Sequence, residues 1–348
     1  MMTIRLADVA RAAGVSQGTA SNVFNRPEQV STALRERVLA AAARLGYLGP
    51  APAGRALRSG KAHLIALVAE ADVVYVLTDP FCQRLLAGIG AACDVAGSGV
   101  AVVPAVTGGG GRWSMETAIA DGFVLFCNDE PERLLALATR RGLPFVAVDS
   151  GPVVGASTVR IDDRAAAFAA ATHLTALGHR RVAVLSLELA PDGRFGSVDA
   201  TRMAQARHAV TRDRLAGYRD ALAAASVDWP SVPVYETAND RGTVDAALGS
   251  LLSNDPRPTA LIAMSDVIAR HAIRHLAGLG LSVPGDLSII GFDDVPDPMG
   301  AGPPLTTIRQ PIEAKGEVAG GMLLGLVEPG DVVLPAELVV RGSTERAR

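Results

Sequence analysis

The sequence predicts two unlike parts: an all-α helix-turn-helix head, and a two-lobed α/β body built on two doubly wound parallel sheets. Three observations carry this. Residues 5–46 hold three short helical patterns and no strand-like run. From His63 onward, short Val/Ile/Leu-rich runs alternate with Ala/Leu-rich helical stretches, the pattern of parallel sheets covered on both faces. Charge is divided unevenly: residues 1–61 carry nine basic side chains against three acidic, and the remainder twenty-four against thirty-three. The net charge of −3 therefore hides a head that attracts a polyanion and a body that repels one.

The head is justified element by element. Leu6, Val9, Ala10 and Ala13 recur at helical spacing before Gly14 breaks the pattern. Ser16 is a good N-cap for a second helix reaching about Asn25, with Ala20, Val23 and Phe24 as its apolar stripe. Ser31 is placed to cap a third, whose core side is Leu34, Val38, Ala41, Ala42 and Leu45. Two helices crossing steeply need a small residue at the contact and a turn residue tolerant of positive φ. Ala10, Gly14 and Ala20 meet those needs. The second helix then exposes Gln17, Gly18, Ser21, Asn22 and Asn25. Amide side chains pair bidentately with adenine in a major groove, and Ser16, Thr19 and the helix N-terminus suit phosphate.

In the body, strands are expected over 63–69, 99–105, 121–127, 144–149, 181–187, 232–236, 259–264 and 287–292, with helices such as Pro80–Ala96, Arg164–Leu177 and Asp266–Leu279 between them. That is too many strands for one small sheet, so two lobes are expected. Residues 1–48 are read as the head, 49–61 as a linker and 62–348 as the body. Lobe one takes about 62–160 plus 293–320, and lobe two about 161–292 plus 321–348. Ligands of such sheets lie beyond the carboxyl ends of the strands, which nominates Ala69–Pro80, Asn128, Asp129, Asp149, the region after Leu187, Ser265, Asp266, Phe292 and Asp293. Phe81, Tyr75, Trp113 and Phe292 are candidate stacking platforms. The stretch 188–212 is long for a connection and reads as a lid with its own short helix. Gly108–Gly111 reads as a surface turn, since no Walker-type lysine follows.

The bulk composition, 49% apolar and 20% charged, is globular and excludes intrinsic disorder. Cys82, Cys93 and Cys127 are too few for a disulfide framework and lack metal-ligand spacing; they read as buried free thiols. The start MMTIRLADVARAAG has no secretory apolar core, and no apolar run is long enough to span a bilayer. A cytoplasmic chain without membrane contact is expected.

The run from Thr3 to Val68 resembles the N-terminus of the LacI/GalR family of bacterial transcriptional regulators. The shared marks include Asp8-Val9-Ala10, Ala13-Gly14-Val15-Ser16, Thr19, Ser21, Asn25, Val30-Ser31, Leu45-Gly46-Tyr47 and Arg55-Ala56-Leu57. Body marks include Asp79-Pro80-Phe81, Leu177-Gly178-His179-Arg180, Ser265-Asp266, Gly291-Phe292-Asp293-Asp294, Gln310-Pro311 and Arg341-Gly342-Ser343-Thr344, so the resemblance covers nearly the whole chain. It implies a periplasmic-binding-protein-like body. It also implies that GPAPAGRALRSG (49–60) forms a hinge helix on DNA, wedging Leu57 into the minor groove with Arg55 and Arg58 beside it; apolar wedges kink DNA in this way. Positions matching Arg214, Ser265 and Asp293 contact the effector in relatives, with Asp149 and Phe81 as further candidates. This chain departs from the usual pattern at Ala20 (commonly Val) and Asn22 (commonly Arg), and Gly18 removes a side chain that often touches a base. Base readout then falls to Gln17, Ser21 and Asn22.

The function expected is a sequence-specific regulator, a repressor ahead of an activator, controlled by a small molecule between the lobes. A sugar is the favoured effector and a nucleobase or nucleoside the alternative. The partner is a pseudo-palindromic operator read by a homodimer, because a two-fold protein on a two-fold site doubles the contacts. RGSTERAR at the end lacks the apolar heptads of a tetramerising helix. Enzyme signatures such as GxGxxG, GxSxG and HExxH are missing, and no cofactor or metal is expected. His271 and His275 stand at i, i+4 without an obvious third ligand. A secreted solute receptor and a sugar-processing enzyme are the competing classes.

Overall fold

The computed structural model describes residues 4–49, 60–105, 113–127, 131–150, 153, 155–297, 300 and 302–348. Arg55, Leu57, Arg58, the loop 108–111, Asn128 and Asp129 lie outside the described residues. The chain divides into two compact units, Met1–His63 and Leu64–Arg348.

In the first unit, α1 (Leu6–Ala13), α2 (Gln17–Asn25) and α3 (Thr32–Leu45) enclose one small core. Gly14 ends α1 at φ 62°, donating its N–H to the Ala10 and Arg11 carbonyls. That left-handed conformation is the one glycine adopts without a Cβ penalty. Ser16 caps α2, its Oγ accepting from the Thr19 N–H at 3.0 Å. Ser31 occupies the N-cap of α3, but its side chain makes no capping hydrogen bond. Val9, Ala10, Ala20, Val23 and Val38 are buried, and the Phe24 and Tyr47 rings meet edge-on at 5.6 Å.

The second unit has two sheets. The first takes β1 (Leu64–Ala69), β2 (Gly99–Pro104), β3 (Gly122–Phe126), β4 (Phe145–Val148), β5 (Ser157–Arg160) and β12 (Asp331–Val333), in the order β12-β5-β4-β3-β1-β2, all parallel. The second takes β6 (Val182–Ser186), β7 (Gly196–Ser197), β8 (Val234–Glu236), β9 (Ala260–Ala263) and β10 (Ser288–Ile290), in the order β10-β9-β6-β8-β7, with only β7 antiparallel. A small antiparallel pair, β11 (Thr307–Arg309) with β13 (Glu337–Val339), joins this lobe.

Helices cover the sheets. In the first lobe these are α4 (Val73–Thr78), α5 (Pro80–Ala96), α6 (Pro131–Arg141) and α12 (Ile312–Leu324). In the second they are α7 (Asp163–Ala176), α8 (Ala200–Ala204), α9 (Ala209–Ala224), α10 (Arg241–Leu252) and α11 (Asp266–Gly278). The eight expected strands are all present, and β5, β7, β11, β12 and β13 are additional.

The lobe limits need correction. Residues 293–309 stay with the second lobe, because Asp293 bridges Arg309 and β11 pairs with β13. The chain returns to the first lobe only with α12, which packs on α5, and stays there through β12 at the edge of β5. The crossings therefore fall near 310 and 334, rather than at 293 and 321. Strand pairing between distant segments sets them, which local sequence does not encode.

In the second lobe, α7 and α9 touch backbone to backbone. A Cβ on Gly217 would sit 2.2 Å from the Arg164 carbonyl oxygen. Gly217→Ala is expected to cost about 1–3 kcal/mol through overpacking. The control Gly249→Ala, on an open face of α10 with nothing within 4 Å, is expected to gain roughly 0.5–1 kcal/mol. Urea unfolding followed by circular dichroism checks both.

Candidate effector cleft and DNA-reading surface

The parallel strands of both lobes end at one cleft of about 390 Å³. From the first lobe it receives Ala69–Asp72 after β1, Tyr75, Asp79 and Phe81 from α4 and α5, Phe126 and Cys127 at the end of β3, and Asp149 after β4. From the second lobe it receives Glu188 after β6, Thr237–Asn239 after β8, Ser265 after β9, Asp293 after β10, and Thr211 and Arg214 on α9. All five sequence-nominated effector residues, Phe81, Asp149, Arg214, Ser265 and Asp293, line it. Four non-glycine residues at these strand ends hold left-handed backbone: Cys127 (φ 49°), Asp149 (φ 52°), Asn239 (φ 58°) and Asp293 (φ 108°). Such conformations cost on the order of 1–3 kcal/mol each and concentrate at functional sites.

A buried polar chain forms the floor. Arg214 donates from Nε to Asp163 Oδ1 at 2.8 Å and from Nη1 to the Met264 carbonyl at 2.7 Å. Its Nη2 lies 3.7 Å from Asp293 Oδ1, and its guanidinium sits 3.6 Å over the Phe292 ring. Asp293 Oδ1 accepts from Gln310 Nε2 at 2.6 Å. Gln310 Oε1 accepts in turn from Lys315 Nζ, and Lys315 donates to both Asp149 oxygens at 2.7 Å. Burial raises the Asp149 carboxyl above the usual range, with Lys315 pulling the other way. Burial also raises Asp293, opposed by Arg214. For Arg214, burial works against the charge, but Asp163 and Asp293 more than offset it, so its pKa rises.

Lysine 315 and Gln310 were not nominated from sequence. A lysine within IEAKGEVAGG reads as a solvent-facing position, yet it is fully buried. Asn239 was also missed, although the strand-end rule applies to it after the short β8. It ties the lobes together, donating to the Tyr75 hydroxyl at 2.9 Å and to Asp79 Oδ2 at 3.2 Å while accepting from Ser265 Oγ at 2.5 Å. On another side, Arg84 on α5 donates to the Asp294 carbonyl at 2.9 Å.

Of the four proposed platforms, Phe81 and Tyr75 reach the cleft, and Phe81 stacks on Phe126 at 5.6 Å. Phe292 is fully buried beneath Arg214, and Trp113 is exposed and not among the lining residues. The 188–212 stretch does contain a short helix, α8, but it is pinned. Arg202 is held by Glu236 at 2.8 Å and Asp192 at 2.7 Å, and the Glu236 carboxylate also accepts from the Leu189 N–H. The segment is thus an anchored wall carrying Glu188, Pro191 and His208. Among the described residues no group of three or more His, Cys, Asp or Glu is arranged to hold a metal, and no helix is long and apolar enough to cross a membrane. His275 pairs with Asp245 at 2.8 Å, and the His271/His275 stripe is half-buried.

In the head, Ser16, Gln17, Gly18, Asn22 and Asn25 are exposed, and Thr19 and Ser21 half-buried. Residues 17, 18, 21, 22 and 25 share one helical face. Asn25 Nδ2 donates to the Ser21 carbonyl and hydroxyl, both at 3.0 Å, and the Ser16 and Thr19 hydroxyls lie 2.8 Å apart. Gln17 and Asn22 are left as the prominent exposed amides.

A helix-turn-helix head and a hinged two-lobed receptor body together define ligand-responsive DNA-binding regulators. Residues 5–49 match the family described as bacterial regulatory proteins, lacI family, and 171–344 match a periplasmic binding protein-like domain. The HTH-type transcriptional regulator Rv3575c of Mycobacterium tuberculosis is 39% identical over 349 residues, covering 97% of this chain and 96% of that protein. The lac repressor dimer bound to operator and the anti-inducer ONPF superposes at TM-score 0.78 with 26% identity, covering 99% of this chain and 100% of that one. The CelR–cellobiose complex gives TM-score 0.65 and 27% identity, covering 98% and 100%. The chain belongs to the LacI family of bacterial transcriptional regulators.

Beside the cleft, Asp266 at the start of α11 holds the segment after β10, accepting from Thr307 Oγ1 at 2.6 Å and from the Val295 N–H at 3.0 Å. Burial pushes its carboxyl up to about 7. The folded chain therefore binds this proton more tightly than the unfolded one, and stability falls as pH rises from the ordinary aspartate range towards 7. Asp266→Asn is expected to flatten that fall; thermal melts of both proteins between pH 4 and pH 7.5 check it.

Proposed function

We propose that this regulator is a sequence-specific repressor that binds a pseudo-palindromic operator as a homodimer in the cytoplasm and is controlled by a sugar seated in the cleft. The observation that carries the reading is convergence: five residues far apart in sequence meet on one cleft between two lobes. Stacked Phe81 and Phe126 offer an apolar face, and Thr211, Thr237, Asn239 and Ser265 offer neutral hydrogen-bonding groups beside carboxylates. That mixture suits a polyol better than a nucleobase. The CelR structure holding cellobiose and the lac repressor structure holding operator support the same reading.

Gln17 and Asn22 read bases, Ser16 and Thr19 position phosphates, and Ser21 and Asn25 brace the face between them. Leu57, Arg55 and Arg58 supply the minor-groove wedge and its flanking contacts. The cleft performs no chemistry: its acids serve recognition and lobe contacts. An effector that binds one lobe arrangement more tightly shifts the population and, with it, operator affinity.

Fluorescence anisotropy on palindromic segments near the chain's own gene, against scrambled duplex, tests this reading. Asn22→Ala is expected to cost on the order of 1–3 kcal/mol on the operator and little on scrambled DNA; equal losses would remove Asn22 from base readout. Asp293→Asn, which keeps the size of the side chain, is expected to abolish the effector's influence on the same titration, read against the variant's own effector-free operator affinity. An unchanged dose–response curve would place the effector elsewhere.

A further inference from the structure

We infer that the cleft is built for an uncharged polyhydroxylated effector and rejects phosphorylated or carboxylated counterparts of similar size; this rests on the reading of the cleft as a sugar site. Among the described residues six acids line it: Glu70, Asp72, Asp79, Asp149, Glu188 and Asp293. Against them, among the described lining residues, stands one permanent cation, Arg214, whose Nε and Nη1 are already directed at Asp163 and the Met264 carbonyl. Lysine 315 lies fully buried behind Asp149 and is held by it and by Gln310. A phosphate entering this space adds charge of the sign already in surplus, in a medium that screens poorly.

The helix N-termini give a second, independent reason. In parallel α/β lobes, anions settle where a helix begins beyond a strand end, because its first N–H groups are unsatisfied. Here the chain fills those positions with its own acids. Asp79 Oδ1 accepts from the Cys82 N–H at the start of α5, at 3.0 Å. Outside the cleft lining the same pattern recurs: Asp162 Oδ1 accepts from Ala165 at the start of α7, at 2.9 Å, and Asp240 Oδ1 from Thr243 at the start of α10, at 2.8 Å. At α11, Ser265 accepts from Ile268 at 3.1 Å and Asp266 follows it in the first turn. Sugar hydroxyls, by contrast, donate readily to carboxylates and exchange bonds with Thr211, Thr237 and Ser265 at no charge cost. The volume of about 390 Å³ falls within the range of small-molecule sites, about 300–1,000 Å³.

Thermal shift of the full chain with matched pairs tests this: D-ribose and ribose 5-phosphate, D-glucose and glucose 6-phosphate, cellobiose and its 6-phosphate, with inorganic phosphate alongside. The expected result is that an uncharged member stabilises the protein, that its phosphate ester half-saturates at least tenfold higher, and that inorganic phosphate gives no shift. Asp79→Asn should narrow the gap within that pair at least threefold; if this variant does not fold, Glu188→Gln carries the same test. A phosphorylated member binding as tightly as its uncharged partner, or more tightly, overturns the inference and leaves the sugar site standing. If no uncharged sugar shifts the melt or moves operator affinity, the sugar reading itself fails and this inference falls with it.

Discussion

The body depends on one buried chain of alternating charge: Asp163, Arg214, Asp293, Gln310, Lys315 and Asp149. It starts at the first turn of α7 in the second lobe and ends beyond β4 in the first. Each charged member is almost entirely removed from water, so each depends on the next. Deleting one partner of a buried pair costs on the order of 3–5 kcal/mol, because the other is left charged and unsolvated. Three of the links line the cleft: Arg214 and the carboxylates of Asp149 and Asp293. A ligand hydroxyl that bonds either carboxylate changes the hydrogen bonding of the groups that join the lobes. Under the proposed function, ligand recognition and lobe geometry would share the same atoms, which is what a differential affinity between two lobe arrangements requires.

Parallel sheets make this possible because all their strands end on one side. The strand ends alone would leave the acids pointing along the sheet. Left-handed backbone at Asp149, Asn239 and Asp293 turns the chain sharply as each strand finishes. The turns are held by tertiary bonds rather than by local preference: Lys315 grips Asp149, Gln310 grips Asp293, and Asp266 holds the Val295 N–H. The strain sits where it orients recognition groups, and the burial of their partners sustains it.

How much of this was legible in the sequence follows from the same physics. Buried parallel strands must be runs of Val, Ile and Leu, so β1, β3, β6 and β9 announce themselves. β5, β7, β11, β12 and β13 are short and partly exposed; only pairing with distant segments makes them strands, and the lobe limits at 293 and 321 failed for that reason. The strand-end rule finds Asp149, Ser265 and Asp293, whose role is positional. Arg214 needed the family resemblance, since an arginine in a surface-like helix carries no local sign of burial. Lys315 gave no signal at all: its partner lies 166 residues away. The aromatic platforms were half right, because Phe81 and Phe292 look alike in sequence and only packing sends one to the cleft and the other beneath Arg214.

The distribution of charge has one logic in both units, each considered by itself. In the head, arginines supply attraction to any duplex, while the exposed face of α2 is uncharged. Attraction and sequence choice are thereby separated, because amides discriminate bases by donor and acceptor pattern whereas a cation grips every phosphate alike. In the body the sign is reversed, and acids occupy the helix starts where nucleic-acid phosphates would otherwise find donors. The same surplus of acids opposes a phosphate ester in the cleft and a nucleic-acid phosphate on the body. A single choice of residue type, acids at strand ends and helix starts, thus weighs against both kinds of phosphate at once.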